Sequence, residues 1–115
     1  MDSKYDLLFY STEDEKEPFK DWYQSIRDKQ TKAIITSRLH RLRMGLFGDC
    51  KTLVSSERIK ELRINYGPGY RVYFAERGAQ VIILLSGGDK KSQKRDIKKA
   101  GVYLKDYKVR YEKEK

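Results

Sequence analysis

The stretch "LRINYGPGYRVYF", Leu62 to Phe74, decides the fold. Two short runs alternate apolar with polar or aromatic residues on either side of Gly67-Pro68-Gly69, the pattern of a β-hairpin. The glycines supply the backbone freedom of a tight loop and Pro68 stiffens it. With 67–69 as the loop, Tyr66 stands opposite Tyr70, Asn65 opposite Arg71, Ile64 opposite Val72 and Arg63 opposite Tyr73. Alternation then sends Leu62, Ile64, Tyr66, Tyr70, Val72 and Phe74 to one face for burial, and Arg63, Asn65, Arg71 and Tyr73 to the other. The expectation is an open patch in which two arginines and a tyrosine converge. Glu61 is placed to neutralise Arg63.

Downstream, "GAQVIILLSGGD" carries consecutive apolar residues, which predicts a central strand covered on both faces and stopped by Gly87 and Gly88. The segment "SGGDKKSQKRD", Ser86 to Asp96, then delivers Lys90, Lys91, Lys94 and Arg95 where the strand turns into a helix, with Ser92 as its N-cap. Exposed amides and lysines there are expected to bind phosphate, although the spacing is not that of a Walker A loop. Ile97, Ala100, Leu104, Tyr107 and Tyr111 mark one side of the closing helix, and residues 111–115 are expected to fray.

Upstream, "YDLLFY", Tyr5 to Tyr10, reads as a short first strand, and Pro18 suits a first helical turn. Phe19, Trp22, Tyr23 and Ile26 share one side of that helix, a core stripe. Ile35, Leu39, Leu42 and Leu46 share a face of a second helix that Gly45 and Gly48 end, with Arg38, Arg41 and Arg43 on its solvated sides. The order strand, two helices, three strands, helix predicts an α+β fold. It has a small, mainly antiparallel sheet with an N-terminal helix pair and a C-terminal helix, in one domain over 1–115.

Lys and Arg number 26 against 17 Asp and Glu in 115 residues, a formal charge of +9 that suits a polyanionic partner. The lone Cys50 excludes an internal disulfide, and one Cys with the one His, His40, cannot supply the usual zinc ligands. No metal or cofactor is called for. The longest apolar run, "VIILL", is too short to span a bilayer, so a soluble cytoplasmic protein without membrane contact is expected.

The hairpin and the segment after it, "LRINYGPGYRVYF" and "VIILLSGGDKKSQKRDIKKA", together resemble the RelE/ParE superfamily of bacterial toxins, and within it the HigB-like branch of addiction-module killer proteins. The likeness covers the element order of nearly the whole chain, and its specific part runs from Lys60 to Ala100. It implies a microbial ribonuclease-like fold and cleavage of mRNA on the translating ribosome. It also implies inhibition by a cognate antitoxin, expected to be a small helix-turn-helix protein, in a complex able to bind operator DNA. The superfamily also contains gyrase inhibitors, so a gyrase-directed toxin or a non-catalytic nucleic-acid-binding module is the alternative.

By this resemblance Arg63 and Arg71 match phosphate or transition-state contacts, and Lys90 a basic position lining the same cleft. Lys60, Tyr73, Lys91 and Lys94 complete the expected RNA-binding set, Lys60 joining it only if the strand start bends. RNA cleavage by the substrate's own 2′-hydroxyl needs a proton acceptor, charge stabilisation at phosphorus and a proton donor. Preorganised arginines supply the second. His40 lies outside the matching motifs and reads as an exposed helix residue. The acceptor is left among Lys60, Lys90 and Lys91.

Overall fold

The computed structural model describes residues 3–54 and 58–112. Residues 113–115, most of the stretch expected to fray, lie outside the described residues. Among the described residues the chain forms a five-stranded sheet and three helices. In chain order these are β1 (Asp6–Phe9), α1 (Pro18–Ser25), α2 (Lys29–Arg43), β2 (Cys50–Thr52), β3 (Lys60–Ile64), β4 (Tyr70–Arg77), β5 (Val81–Asp89) and α3 (Gln93–Tyr111). The sheet order is β1-β5-β4-β3-β2; β1 runs parallel to β5 and every other pair is antiparallel. The expected α+β fold is borne out. Strand β2 is an addition, three residues whose pairing with Lys60, Glu61 and Leu62 has no period of its own to announce it.

Helices cover both faces of the sheet. On one, Phe19 of α1 and Ile35 and Leu42 of α2 meet Leu62, Ile64, Val72, Phe74, Ile82 and Leu84. On the other, Ala100 and Leu104 of α3 meet Ile59, Tyr73, Ala75, Ile83 and Leu85. The unbroken "IILL" at 82–85 follows from this, since successive residues alternate between two cores. Each such fully buried side chain contributes about 1.5–3 kcal/mol relative to leaving it in water. Asp28 caps α2, its carboxylate accepting from Thr31 N–H at 2.8 Å. The helix ends at Arg43, so Leu46 falls outside the expected stripe and is 63% exposed. No helix among the described residues is long and apolar enough to cross a membrane.

The hairpin register differs from the expected one by two residues. Arg63 pairs with Arg71, Ile64 with Tyr70 and Leu62 with Val72, so the connection is the five residues 65–69. Gly69 N–H donates to Tyr66 O at 3.0 Å, and Gly67 and Gly69 take φ of +56° and +83°, which favours glycine. A shift of two conserves parity, so the sorting of side chains between faces survives. The arginine-bearing face is not open throughout, however: α3 lies across it, and Tyr73 is wholly buried beneath that helix.

Strand β5 does not stop at its glycines. It runs through both, Gly87 pairing with Val72 and Gly88 with Arg71, because each missing side chain makes room for a neighbour. A Cβ at Gly87 would meet the Trp22 ring at 2.3 Å, and one at Gly88 would meet the Asp96 carboxylate at 1.9 Å. A register shift beside Tyr73 lets β5 deliver Leu85 to the α3 core and Ser86 to the α3 backbone, where Ser86 Oγ donates to Asp96 O at 3.1 Å.

Candidate active site

Arg63, Arg71 and Lys90 line one polar cavity of about 450 Å3, with Asp49, Asn65 and the Gly67-Pro68-Gly69 loop completing its wall. Arg63 comes from β3, Arg71 from β4, and Lys90 follows β5 directly, so three adjacent strands each deliver one cation to the same end of the sheet. Arg63 N–H donates to Asp49 O at 2.9 Å, and Arg63 O accepts from Arg38 Nη1 at 2.8 Å, so the backbone polar groups of Arg63 point away from β4. Arg63 and Arg71 are therefore a non-hydrogen-bonded pair, the kind in which facing side chains stand closest.

Beneath the arginines sits a buried polar anchor. Glu61, 1% exposed, accepts from Arg63 Nε at 3.2 Å, from Tyr73 Oη at 3.0 Å and from Gln93 Nε2 at 2.7 Å. Burial pushes its carboxyl up, but the hydrogen bonds from Gln93, Arg63 and Tyr73 and the Arg63 charge outweigh burial and leave it below the ordinary carboxylate value. Burial, with the Glu61 charge, raises the Tyr73 hydroxyl far above its ordinary value, so Tyr73 is a neutral donor. Arg63 is thus held in place by a carboxylate shared with the sheet and α3. Arg71 is held less: Nη1 donates to Tyr70 O at 3.2 Å, while its buried Nε has no hydrogen-bond partner.

Four expected members of the RNA-contacting set are placed elsewhere. Tyr73 packs in the α3 core, because alternation directs it to that face and the helix covers it. Lys60 stays on the face that strict alternation assigns; its ammonium pairs with Glu76 at 3.5 Å and lies 5.0 Å over the Phe47 ring. The strand start does not bend to bring it round. Lys91 lines a neighbouring cavity with Trp22 and Arg95. Lys94 is exposed on α3 and lines neither cavity. The expected phosphate site at the start of α3 is filled from within, since the Asp89 carboxylate accepts from Lys91 N–H at 2.9 Å and Ser92 N–H at 3.2 Å. Ser92 occupies the N-cap position, but its hydroxyl bonds to the Asp96 carboxylate instead of capping a helix amide.

Other members were not legible beforehand. Asp49 enters through β2, a strand the sequence does not signal. Arg38, assigned to a solvated side of α2, turns inward: Nη1 holds Arg63 O, and Nη2 holds Phe47 O at 3.2 Å, tying α2 to the arginine strand. Burial, with the nearby Arg41 charge, lowers its pKa, and its buried Nε has no hydrogen-bond partner. His40 is exposed on α2 and lines a separate surface recess with Lys32 and Arg41. Among the described residues no group of His, Cys, Asp and Glu side chains could hold a metal ion.

Comparison with known proteins places the chain in a family. Residues 18–107 match the family described as "Phage derived protein Gp49-like (DUF891)", a span that takes in the cavity and all three helices' cores. A Haemophilus influenzae protein (strain ATCC 51907 / DSM 11121 / KW20 / Rd), described as "Uncharacterized protein", is 44% identical over 82 residues, 71% of this chain and 81% of its own length. The chain belongs to the Gp49-like family of phage-derived proteins, a toxin-like family of the RelE/HigB group whose members imply an antitoxin partner.

Proposed function

We propose that the protein is the toxin of a type II toxin–antitoxin pair and an mRNA endonuclease, acting on the translating ribosome to inhibit translation and growth. The observation that carries this reading is the convergence of Arg63, Arg71 and Lys90 on one polar cavity, with Arg71 Nε buried and unpartnered beside it. Like charges directly opposite one another on a sheet cost stability, and a phosphate between them reverses that cost.

In this reading the scissile phosphate sits between the two guanidinium groups, which neutralise the charge that grows on its non-bridging oxygens. Such preorganised donors are commonly the largest catalytic contribution. Asp49 is the carboxylate on the cavity wall and takes the 2′-hydroxyl proton. The 2′-oxygen then attacks phosphorus as the bond to the 5′-oxygen breaks. Lys90, as an ammonium, returns a proton to that leaving oxygen. The products are a 2′,3′-cyclic phosphate and a 5′-hydroxyl end. Neither Lys60, paired with Glu76 on the opposite face, nor Lys91, in the adjoining cavity, is assigned a part in the proton transfers.

The test is to express the wild-type chain and Arg71→Ala in cells and map transcript 5′ ends. Wild type should generate new 5′-hydroxyl ends within coding sequence, and the variant should generate none while remaining folded and able to bind the antitoxin. Growth arrest without cut transcripts would overturn the nuclease reading and direct attention to DNA gyrase.

A further inference from the structure

The last part of β5 runs on beyond its outer neighbour. Strand β1 pairs with β5 only from Asp6–Val81 to Phe9–Leu84, and Tyr10 N–H ends that edge on Leu84 O at 3.1 Å. Because Arg63 directs its backbone groups to Asp49 and Arg38, Arg71 directs its own toward β5 and exchanges them with Gly88. Gly87, one residue earlier, therefore points its N–H and C=O outward past the end of β1. Asp89 follows the same alternation, its N–H leaving the sheet for Ser92 Oγ at 3.3 Å.

A cavity of about 520 Å3 opens at this edge, lined by Trp22, the Gly87-Gly88 backbone, Lys91 and Arg95, with Asp89 and Asp96 on its α3 side. The half-buried Trp22 ring rests on Gly87 and is steadied by Phe19 and Tyr70, at centroid distances of 5.7 and 6.3 Å. Lys91 and Arg95 are exposed at the rim.

This is not the chemistry of a bare anion hole. Two carboxylates face the space, and Asp89 already occupies the Lys91 and Ser92 amides. An aromatic ring, an outward N–H and C=O with no side chain to shield them, and two rim cations suit a ligand with a flat polar ring and an attached phosphate. Single-stranded RNA is recognised in this way, by stacking, base-edge hydrogen bonds and backbone cations.

Building on the RNA reading above, we infer that this cavity is a second nucleotide subsite. The base stacks against Trp22 with its edge on the Gly87 N–H and C=O, and its phosphate lies at Lys91 and Arg95. Lys90 lines the arginine cavity and Lys91 this one, with their Cα atoms about 3.8 Å apart. Neighbouring nucleotides of one strand pass over that peptide, so this subsite reads the base beside the cleaved bond.

Trp22 is the chain's single tryptophan, so its fluorescence reports this cavity. The experiment titrates the full chain with a 2′-O-methyl oligoribonucleotide, which cannot be cleaved, and with an abasic oligomer of equal length. The base-bearing strand should quench Trp22 emission, and the abasic strand should bind without quenching. The Lys91→Ala/Arg95→Ala double variant should weaken binding and reduce the slope of log K against log salt by about 0.7, the value for the one phosphate the pair holds. Trp22→Leu should weaken binding of the base-bearing strand alone, by about 5- to 100-fold. The surface double variant carries the test if Trp22→Leu fails to fold. Binding that depends on Arg63 and Arg71, yet leaves Trp22 emission and the double variant unchanged, overturns the subsite and leaves the RNA reading standing. Failure of either strand to bind overturns the RNA reading and this inference with it.

Discussion

Arg63 and Arg71 face each other across β3 and β4 as a non-hydrogen-bonded pair, two like charges at the closest approach an antiparallel sheet provides. Glu61 answers the charge of Arg63 only. The pair therefore works against the stability of the free protein and toward the binding of an anion. Arg71→Ala should cut RNA cleavage by about 100-fold or more, as removal of a transition-state donor does. It should also leave Tm equal to or above that of wild type, since the relieved repulsion is worth about 0.2–1 kcal/mol. Thermal melts beside single-turnover cleavage check both halves, and a large fall in Tm would show Arg71 to be structural.

Glu61→Gln should destabilise the fold by about 1.5–3 kcal/mol near neutral pH, because a carboxylate taking three hydrogen bonds loses its charge. The folded carboxyl lies below its unfolded value of about 4.3. The charge-dependent stability is thus fully present above about pH 4.3 and is lost as pH falls through the depressed folded value. The difference in unfolding free energy between wild type and Glu61→Gln, followed by urea melts from pH 7 down to pH 3, should be flat at first and then shrink. A difference that grows on acidification would contradict this assignment.

Tyr73→Phe separates a packing role from an RNA contact. The ring stays in the α3 core and only the hydroxyl bond to the Glu61 carboxylate is lost, at a cost of about 1.5–3 kcal/mol. Cleavage and oligonucleotide affinity should remain within a few-fold of wild type while the urea midpoint drops. Loss of activity at unchanged stability would return Tyr73 to the site.

Lys60→Ala should leave cleavage unchanged. Its partner Glu76 and its neighbour Phe47 lie on the sheet face opposite the arginines, and the partly exposed ion pair is worth about 0–1 kcal/mol. Parallel assays of Lys60→Ala and Lys90→Ala provide the comparison: only the second should lose activity.

Gly88→Ala should destabilise by about 1–3 kcal/mol or more, through overpacking. The added Cβ would stand 1.9 Å from the Asp96 carboxylate and 2.5 Å from Ser92 Oγ, forcing the first turn of α3 away from β5. Gly101→Ala, with nothing within 4 Å of its added Cβ, is the matched control and should be neutral or slightly stabilising. Equal melting temperatures for the two variants would contradict the packing at Gly88.

Much of the arginine site was legible because a strand has period two. The expected hairpin loop was three residues and the actual one is five, yet Arg63 and Arg71 share a face in either register, since the difference is an even number. The same parity kept Lys60 with Leu62 and Ile64, against the wish to bring it into the cleft. Helix period served for most of α3, where Ile97, Ala100, Leu104 and Tyr107 pack on the sheet as their spacing indicates, while Tyr111 of the same stripe, at the helix end, is 62% exposed.

Other features have no local signal because they depend on what a distant segment covers. Tyr73 and Arg71 share a face and differ in fate only because α3 passes over one of them. Gly87 and Gly88 read as a stop, but in the sheet they are the two places where Trp22, 65 positions before Gly87 in the chain, and Asp96 need space. Arg38 reads as solvated until the Arg63 and Phe47 carbonyls are brought beneath it. By itself the sequence determined which side chains share a face, since backbone geometry imposes the periods 2 and 3.6 on every strand and helix. Tertiary structure decided which of those faces meet water, since burial is a property of the partner that arrives and not of the residue that waits.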